Sequence, residues 1–153
     1  MIGMGKSTIC NECGAQWEND VKCEDHFYQM LYWEAENLSF IQVHHLAVLS
    51  YYLQHPSLYS PEGLNAAKQL LAEIIEEGIT PAAARKRVAI KFEIANQKPK
   101  IKAREDAKGS YKEPVKWSMV AGDVVAGGET GYCENIRKWS QYIYETLKDT
   151  GNN

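Results

Sequence analysis

The spacing of cysteine and histidine near the amino terminus constrains the fold of this chain more than any other feature. Two residues separate Cys10 from Cys13, and two separate Cys23 from His26. Such a spacer lets both members of a pair reach one ion, and zinc prefers four tetrahedral sulfur or imidazole ligands. Gly14, directly after Cys13, suits the tight turn of a metal-binding knuckle. The sequence therefore predicts a Zn²⁺ site formed by Cys10, Cys13, Cys23 and His26.

The fourth ligand is the least fixed member of this predicted site. Folding could also bring His44, His45 or Cys133 to the other cysteines. We favour His26 because it lies three residues after Cys23, on the same face of a predicted helix. With four protein ligands the site would be closed and structural, whereas with three a water molecule would complete an open, catalytic type of site.

The overall composition is that of an ordinary globular domain. The chain has 153 residues, of which 44% are hydrophobic and 24% charged, values that argue against a fibrous or fully disordered protein and fit a single domain over residues 1–153. No stretch approaches the roughly 18 consecutive apolar residues of a membrane-spanning helix, and the opening residues lack the apolar run of a secretory signal. We expect a cytoplasmic protein, in which reduced cysteines favour metal ligation over disulfide bonds.

Helical patterns dominate the chain after the predicted metal ligands. Apolar residues recur three and four positions apart, and the pairs Ser60-Pro61 and Thr80-Pro81 are strong helix starts, because the hydroxyl caps the helix and proline fits its first position. Gly78 marks a helix end. The fold class is therefore mainly α, with about five helices packed on a zinc knuckle at residues 1–27. The helices are expected at about 23–37, 40–54, 60–78, from 81 through 92, and at 132–147.

Two segments depart from this helical pattern. Residues 96–114 are rich in lysine and contain Pro99, Gly109 and Pro114, which predicts a basic flexible loop. The run 115–125 is predicted to add one short hairpin before a glycine-rich turn.

Positive charge is concentrated in the middle of the chain. Residues 81–116 carry 11 basic and 4 acidic side chains, whereas residues 1–80 carry 3 basic and 11 acidic ones. Such a segment can attract an anionic partner, or it can form a solvated surface that the acidic first half neutralises. The candidate anion-binding residues are Arg85, Lys86, Arg87 and Lys91.

The remaining histidines suggest a second site or an alternative source of the metal ligand. His44 and His55 lie eleven residues apart, which on a straight helix separates them by about 16 Å and prevents them from sharing an ion. His44 and His45 point about 100° apart around a helix, so only one can face a given pocket. Glu34, on the preceding predicted helix, could meet one of these histidines.

Several segments resemble an uncharacterised bacterial family of unknown function. The match spans most of the chain, and its most specific parts are the His-His-Leu and Leu-Gln-His-Pro-Ser motifs. The resemblance implies a small, mainly helical protein with an N-terminal metal knuckle and no established activity. It also implies that the three cysteines and Phe27 belong to the family pattern more firmly than His26, which makes His44, His45 and His55 candidates for the fourth ligand. The segments are Cys10-Asn11-Glu12-Cys13-Gly14, Val43-His44-His45-Leu46, Tyr52 to Ser60, Trp117-Ser118 and Trp139.

Two hypotheses for function follow from these patterns. In the first, a structural zinc ion stabilises a binding or regulatory module that acts through its surface, with the basic segment 81–116 turned towards an anionic partner. In the second, the protein is a metal-dependent enzyme with a pocket near Glu34, His44, His45 and His55, in which Glu34 is the general base. We favour the first; the sequence leaves open whether the protein is an enzyme and whether it forms a homo-oligomer.

Overall fold

Six α-helices and one small hairpin make up the described part of the chain, which comprises residues 8–17, 20–96 and 101–153 of a computed structural model. Two 3₁₀ segments, Leu38–Val43 and Pro56–Leu58, flank the second helix. The predicted mainly α class is confirmed, with six described helices in place of about five. In chain order the elements are β1 (Thr8–Ile9), β2 (Gln16–Trp17), α1 (Cys23–Glu36), α2 (His44–Leu53), α3 (Pro61–Glu77), α4 (Pro81–Ile94), α5 (Ala121–Ala126) and α6 (Tyr132–Asp149).

The helix-start and helix-end signals act as the sequence predicts. The hydroxyl of Ser60 accepts a hydrogen bond from the amide of Gly63 at 2.9 Å, and that of Thr80 accepts one from Ala83 at 3.1 Å. Gly78 ends α3 in the left-handed conformation, with φ of +68°, which glycine adopts without steric cost. These signals fix where α3 and α4 begin and where α3 ends.

The predicted hairpin near 115–125 is wrong, because residues 121–126 form the short helix α5. The carboxylate of Asp123 accepts a hydrogen bond from the amide of Val120 at 2.8 Å, which satisfies a free donor at the helix start. Val124 is fully buried, and α5 packs against α1 and α6. Tertiary burial therefore overrides the strand preference of the valines.

The core is organised around α6, which packs against α2, α3 and α5. One face of this helix is apolar and buried, and Trp139 at its centre has no exposed surface. Further core side chains on α6 are Ile136, Ile143 and Leu147. Within the described residues, no helix is both long and apolar enough to cross a membrane.

The described part of the predicted basic loop is attached to the chain around Tyr59. We call residues 101–109 the strap. The carbonyl of Ile101 accepts a hydrogen bond from the amide of Ser60 at 2.8 Å, and the amide of Gly109 donates to the carbonyl of Tyr59 at 2.8 Å. Residues 97–100 lie outside the described residues, so the flexibility expected of 96–114 stays a prediction.

The contact between the strap and α3 predicts the effect of substituting Gly63. A Cβ atom at this position would lie 2.2 Å from the carbonyl oxygen of Ile101, which forces the strap away. We expect Gly63→Ala to lower the free energy of unfolding by about 1–3 kcal/mol in chemical denaturation. In a helix that nothing approaches, the same change stabilises by about 0.5–1 kcal/mol, so a stabilised variant would contradict the described position of the strap.

Candidate metal centre

Three cysteines and one histidine converge where the N-terminal hairpin meets the start of α1 and the end of α2. The sulfur atoms of Cys10, Cys13 and Cys23 and a ring nitrogen of His55 all lie within 4.8 Å of one another. Ligands bound tetrahedrally at about 2.3 Å are about 3.8 Å apart, so a small contraction would bring these four atoms to one ion. We call these residues the Cys₃His cluster.

The hairpin presents the first two thiols through a tight turn. The amide of Gly14 donates to the carbonyl of Cys10 at 3.0 Å, and the amide of Cys10 donates to the carbonyl of Ala15 at 2.9 Å. Gly14 has φ of +77°, a conformation that favours glycine. The amide of Ala15 also points at the sulfur of Cys13, at 3.5 Å. This turn is the knuckle that the Cys-x-x-Cys-Gly pattern predicts.

The third thiol comes from the first residue of α1. Cys23 is 7% exposed and begins the helix directly after Lys22, whose amide donates to the carboxylate of Asp25 at 2.8 Å. The positive end of the helix dipole at this position favours a thiolate.

His55 reaches the cluster because Pro56 prevents α2 from continuing through this position. A residue before proline is disfavoured in the helical conformation, and His55 has φ of −130° and ψ of 65°. Its Nδ1 lies 2.7 Å from the carbonyl of Tyr51, an acceptor that places the ring proton on Nδ1 and leaves Nε2 as the ligand atom. Nε2 is buried and has no hydrogen-bond partner within the described residues. A buried nitrogen without a hydrogen-bond partner, beside three sulfur atoms, is suited to bind a metal. The hydrogen bond from Nδ1 to a backbone carbonyl is also typical of a histidine that binds a metal.

The electrostatics of the cluster favour a thiolate at Cys23 and a neutral thiol at Cys13. The Cys13 thiol donates to the sulfur of Cys23, and this bond lowers the pKa of Cys23 and raises that of Cys13. Burial alone would lower the pKa of His55, but the adjacent Cys23 sulfur and the Tyr51 carbonyl outweigh burial and raise this pKa to about 9.

The histidine of the cluster is His55 and not His26, which corrects the preferred ligand set. Cys23 and Phe27, four residues apart, share the buried face of α1, whereas His26 lies to one side of it. The Nε2 atom of His26 would be 3.2 Å from a Cβ placed on Gly122, so its ring packs at the contact between α1 and α5. Local spacing favours His26, but the rotation of α1 turns it away from the thiols.

A second contact attaches the knuckle to the helices beside the cluster. One carboxylate oxygen of Glu12 accepts a hydrogen bond from the Ser57 hydroxyl at 2.6 Å, and the other accepts one from the Ser57 amide at 2.9 Å. Glu12 lies between Cys10 and Cys13, so this contact orients the knuckle towards His55, two residues before Ser57.

The other candidate residues for a second site form a separate arrangement around Glu34. This carboxylate is 3% exposed, and it contacts Nδ1 of His44 at 2.6 Å and accepts a short hydrogen bond from the hydroxyl of Tyr132. His45 lies next to His44, with ring centres 5.4 Å apart. Within the described residues, Glu34, His44 and His45 do not form a group that could hold a metal.

The candidate anion-binding residues are partly engaged within the chain. Arg87 donates to Glu77 at 2.8 Å, and Lys91 lies 3.6 Å from Glu73. Lys86 is exposed. Arg85 differs from them, because its guanidinium lies 3.0 Å from both ring nitrogens of His45.

Sequence reasoning missed the contacts that support these groups. Ser57 is 45 residues from Glu12, and Tyr132 is 98 residues from Glu34, and no local pattern links either pair. The Leu-Gln-His-Pro-Ser segment, which contains His55 and Ser57, was the signal available for His55, since the proline after it ends a helix.

The Cys₃His cluster and the six described helices define the class of this protein, which is a helical protein with a group at its N-terminal hairpin that could hold a metal ion. The chain matches a family model described as a family of unknown function, DUF5946, over residues 8–148, and it therefore belongs to that family. No curated protein and no solved structure matches the chain.

The contact between Glu12 and Ser57 predicts how firmly the knuckle is held. Ser57→Ala removes one hydrogen bond to a carboxylate, and hydrogen bonds to charged groups contribute about 1.5–3 kcal/mol. We expect the free energy of unfolding to fall by about 1–2 kcal/mol and the thiols to react faster with a thiol reagent. Ser110→Ala, at an exposed serine, is the control; equal thiol reactivity in the two variants would contradict the role given to Ser57.

Proposed function

We propose that this protein is a zinc-stabilised helical binding module whose metal is structural. The observation that carries the proposal is the convergence of four soft or borderline ligand atoms within 4.8 Å. Cys₃His sets of this kind suit zinc, and at four-coordinate structural sites the metal contributes directly to folding. Cys10, Cys13, Cys23 and His55 would hold the ion.

Burial of the ligands supports a structural role for the metal. Cys13, Cys23 and His55 are 1%, 7% and 5% exposed, and four protein ligands leave no coordination position for water or substrate. When bound, zinc would cross-link the hairpin, the start of α1 and the end of α2. It would add to the contacts already there, such as the stacked rings of Phe27 on α1 and Tyr51 on α2, whose centres are 4.3 Å apart.

The alternative of a metal-dependent enzyme has less support. It requires a metal near Glu34, His44 and His45, but His55 lies in the Cys₃His cluster and the other three do not form a metal-type group. Glu34 is also poorly suited to be a general base, because His44 and Tyr132 engage both of its oxygens and it is almost fully buried.

Histidine substitutions measured against zinc content test the proposal. Purified wild-type protein is expected to contain one zinc ion per chain by elemental analysis. His55→Ala should lose most of the zinc and unfold at a lower denaturant concentration, because removing one of four ligands weakens the site and the metal contributes to folding. His26→Ala should keep the full zinc content.

Two results would overturn the proposal. Wild-type protein without zinc after expression in zinc-supplemented medium would exclude a structural zinc ion. Loss of zinc from His26→Ala together with its retention in His55→Ala would refute the ligand set. Cys133→Ser is a further control, since Cys133 lies outside the cluster, and it should keep its zinc.

A further inference from the structure

A cavity beside α2, lined by none of the Cys₃His residues, has the volume of a small-molecule site. Its volume is about 490 Å³, within the range of about 300–1,000 Å³ typical of ligand pockets. Side chains from α2, α3, α4, the 3₁₀ segment Pro56–Leu58 and the strap line its wall, which is mainly apolar. The principal apolar residues are Val48, Leu49, Leu58, Leu70, Ile74 and Ile101. The cavity is thus built from several elements that meet only in the folded chain.

The charged side chains at this cavity are all cationic. Among its described lining residues, Arg85 and Lys102 carry positive charge and none carries a carboxylate. In the described ranges, no carboxylate oxygen lies within 4.0 Å of either of these two cations. Arg87, two residues after Arg85, is by contrast paired with Glu77. The cavity therefore combines an apolar wall with two cations that have no acidic partner in the described chain.

Two histidines complete the rim of the cavity, and both are held in place. The buried carboxylate of Glu34 contacts Nδ1 of His44 and fixes its ring, and this contact does not involve Nε2. His45 lies against Arg85, and burial, then Arg85 and His44, lowers its pKa. At neutral pH His45 is therefore mostly uncharged, and the guanidinium of Arg85 is the cation at this end of the rim.

We infer that this cavity binds a small carboxylate with an apolar body, such as a short or medium alkyl chain or an aromatic acid. Arg85 would hold the carboxylate, because the planar guanidinium matches its two oxygens. The apolar wall would bury the rest of the ligand. This inference names the ligand class of the proposed binding module and rests on that function, but it uses none of the Cys₃His residues.

Titration of the zinc-loaded protein with three eight-carbon probes tests the inference. Octanoate, 1-octanol and octylammonium each have eight carbons and differ in the charge of the head group, and octanoate has the shorter alkyl chain by one methylene. We expect octanoate to bind at least about tenfold more tightly than 1-octanol, since hydrogen bonds between a guanidinium and a carboxylate are stronger than those to a neutral hydroxyl. Octylammonium should bind most weakly. Calorimetry measures the affinities, and methyl NMR shifts at Val48, Leu70 and Ile74 locate the bound chain.

A matched pair of arginine variants separates the cavity from general surface charge. Arg85→Gln should weaken octanoate binding about tenfold and leave 1-octanol binding unchanged, whereas Arg87→Gln, on the same helix, should bind octanoate as the wild type does. Equal affinity for octanoate and 1-octanol, equal effects of the two variants, or no octanoate binding would each overturn the inference. Zinc content measured in the same samples keeps a failure of the metal proposal distinct from a failure of this one.

Discussion

The attachment of the N-terminal hairpin to the helices is the constraint on which the Cys₃His cluster depends. The hairpin has two strands of two residues each, and an isolated hairpin is at best marginally stable in water. Its main buried residue among those described is Cys13, whose sulfur lies near Cys23, at the start of α1, and His55, just after the end of α2. Without a cation, the thiols of Cys13 and Cys23 are buried beside Nε2 of His55, which has no hydrogen-bond partner within the described residues. A bound zinc ion would use these groups as ligands and would be the principal cross-link between the hairpin, α1 and the end of α2.

The helix α2 connects the Cys₃His cluster to the cavity. Its last turn leads to His55, and its first two residues are His44 and His45 at the rim of the cavity. Packing against α6 fixes the position of α2. The strap lines part of the cavity and is attached by its hydrogen bonds near Tyr59, and Pro56 and Ser57 lie just before that point. One short helix thus positions both of the sites proposed for this protein.

Local sequence signals predicted the helices well because the interactions behind them are local. Serine or threonine before proline begins α3 and α4, and a glycine ends α3, through contacts within one helical turn. The segment at 115–125 was predicted as a hairpin because its valines favour strands, but burial of Val124 against neighbouring helices decides its conformation. This contact joins α5 to α1 and α6, and no local pattern in a single sequence indicates it.

The candidate site was likewise predictable only where its structure is local. The knuckle and the three cysteines follow from spacing, since a Cys-x-x-Cys-Gly turn is itself a local structure. The fourth ligand depends on how α1 is rotated and where α2 ends, so the nearest histidine, His26, was preferred over His55. The cavity is formed by α2, α3, α4 and the strap, which come together only in the folded chain. Only the cluster of basic residues around Arg85 pointed towards it.

X-ray absorption at the zinc edge tests the central claim most directly, because it counts the atoms bound to the metal. For the purified wild-type protein the account predicts three sulfur atoms at about 2.3 Å and one nitrogen at about 2.0–2.1 Å, with no bound water. In His55→Ala, any residual zinc should lose the nitrogen scatterer, whereas in His26→Ala the spectrum should be unchanged. A wild-type spectrum with two or fewer sulfur ligands, or with an oxygen ligand from water, would contradict a closed structural site.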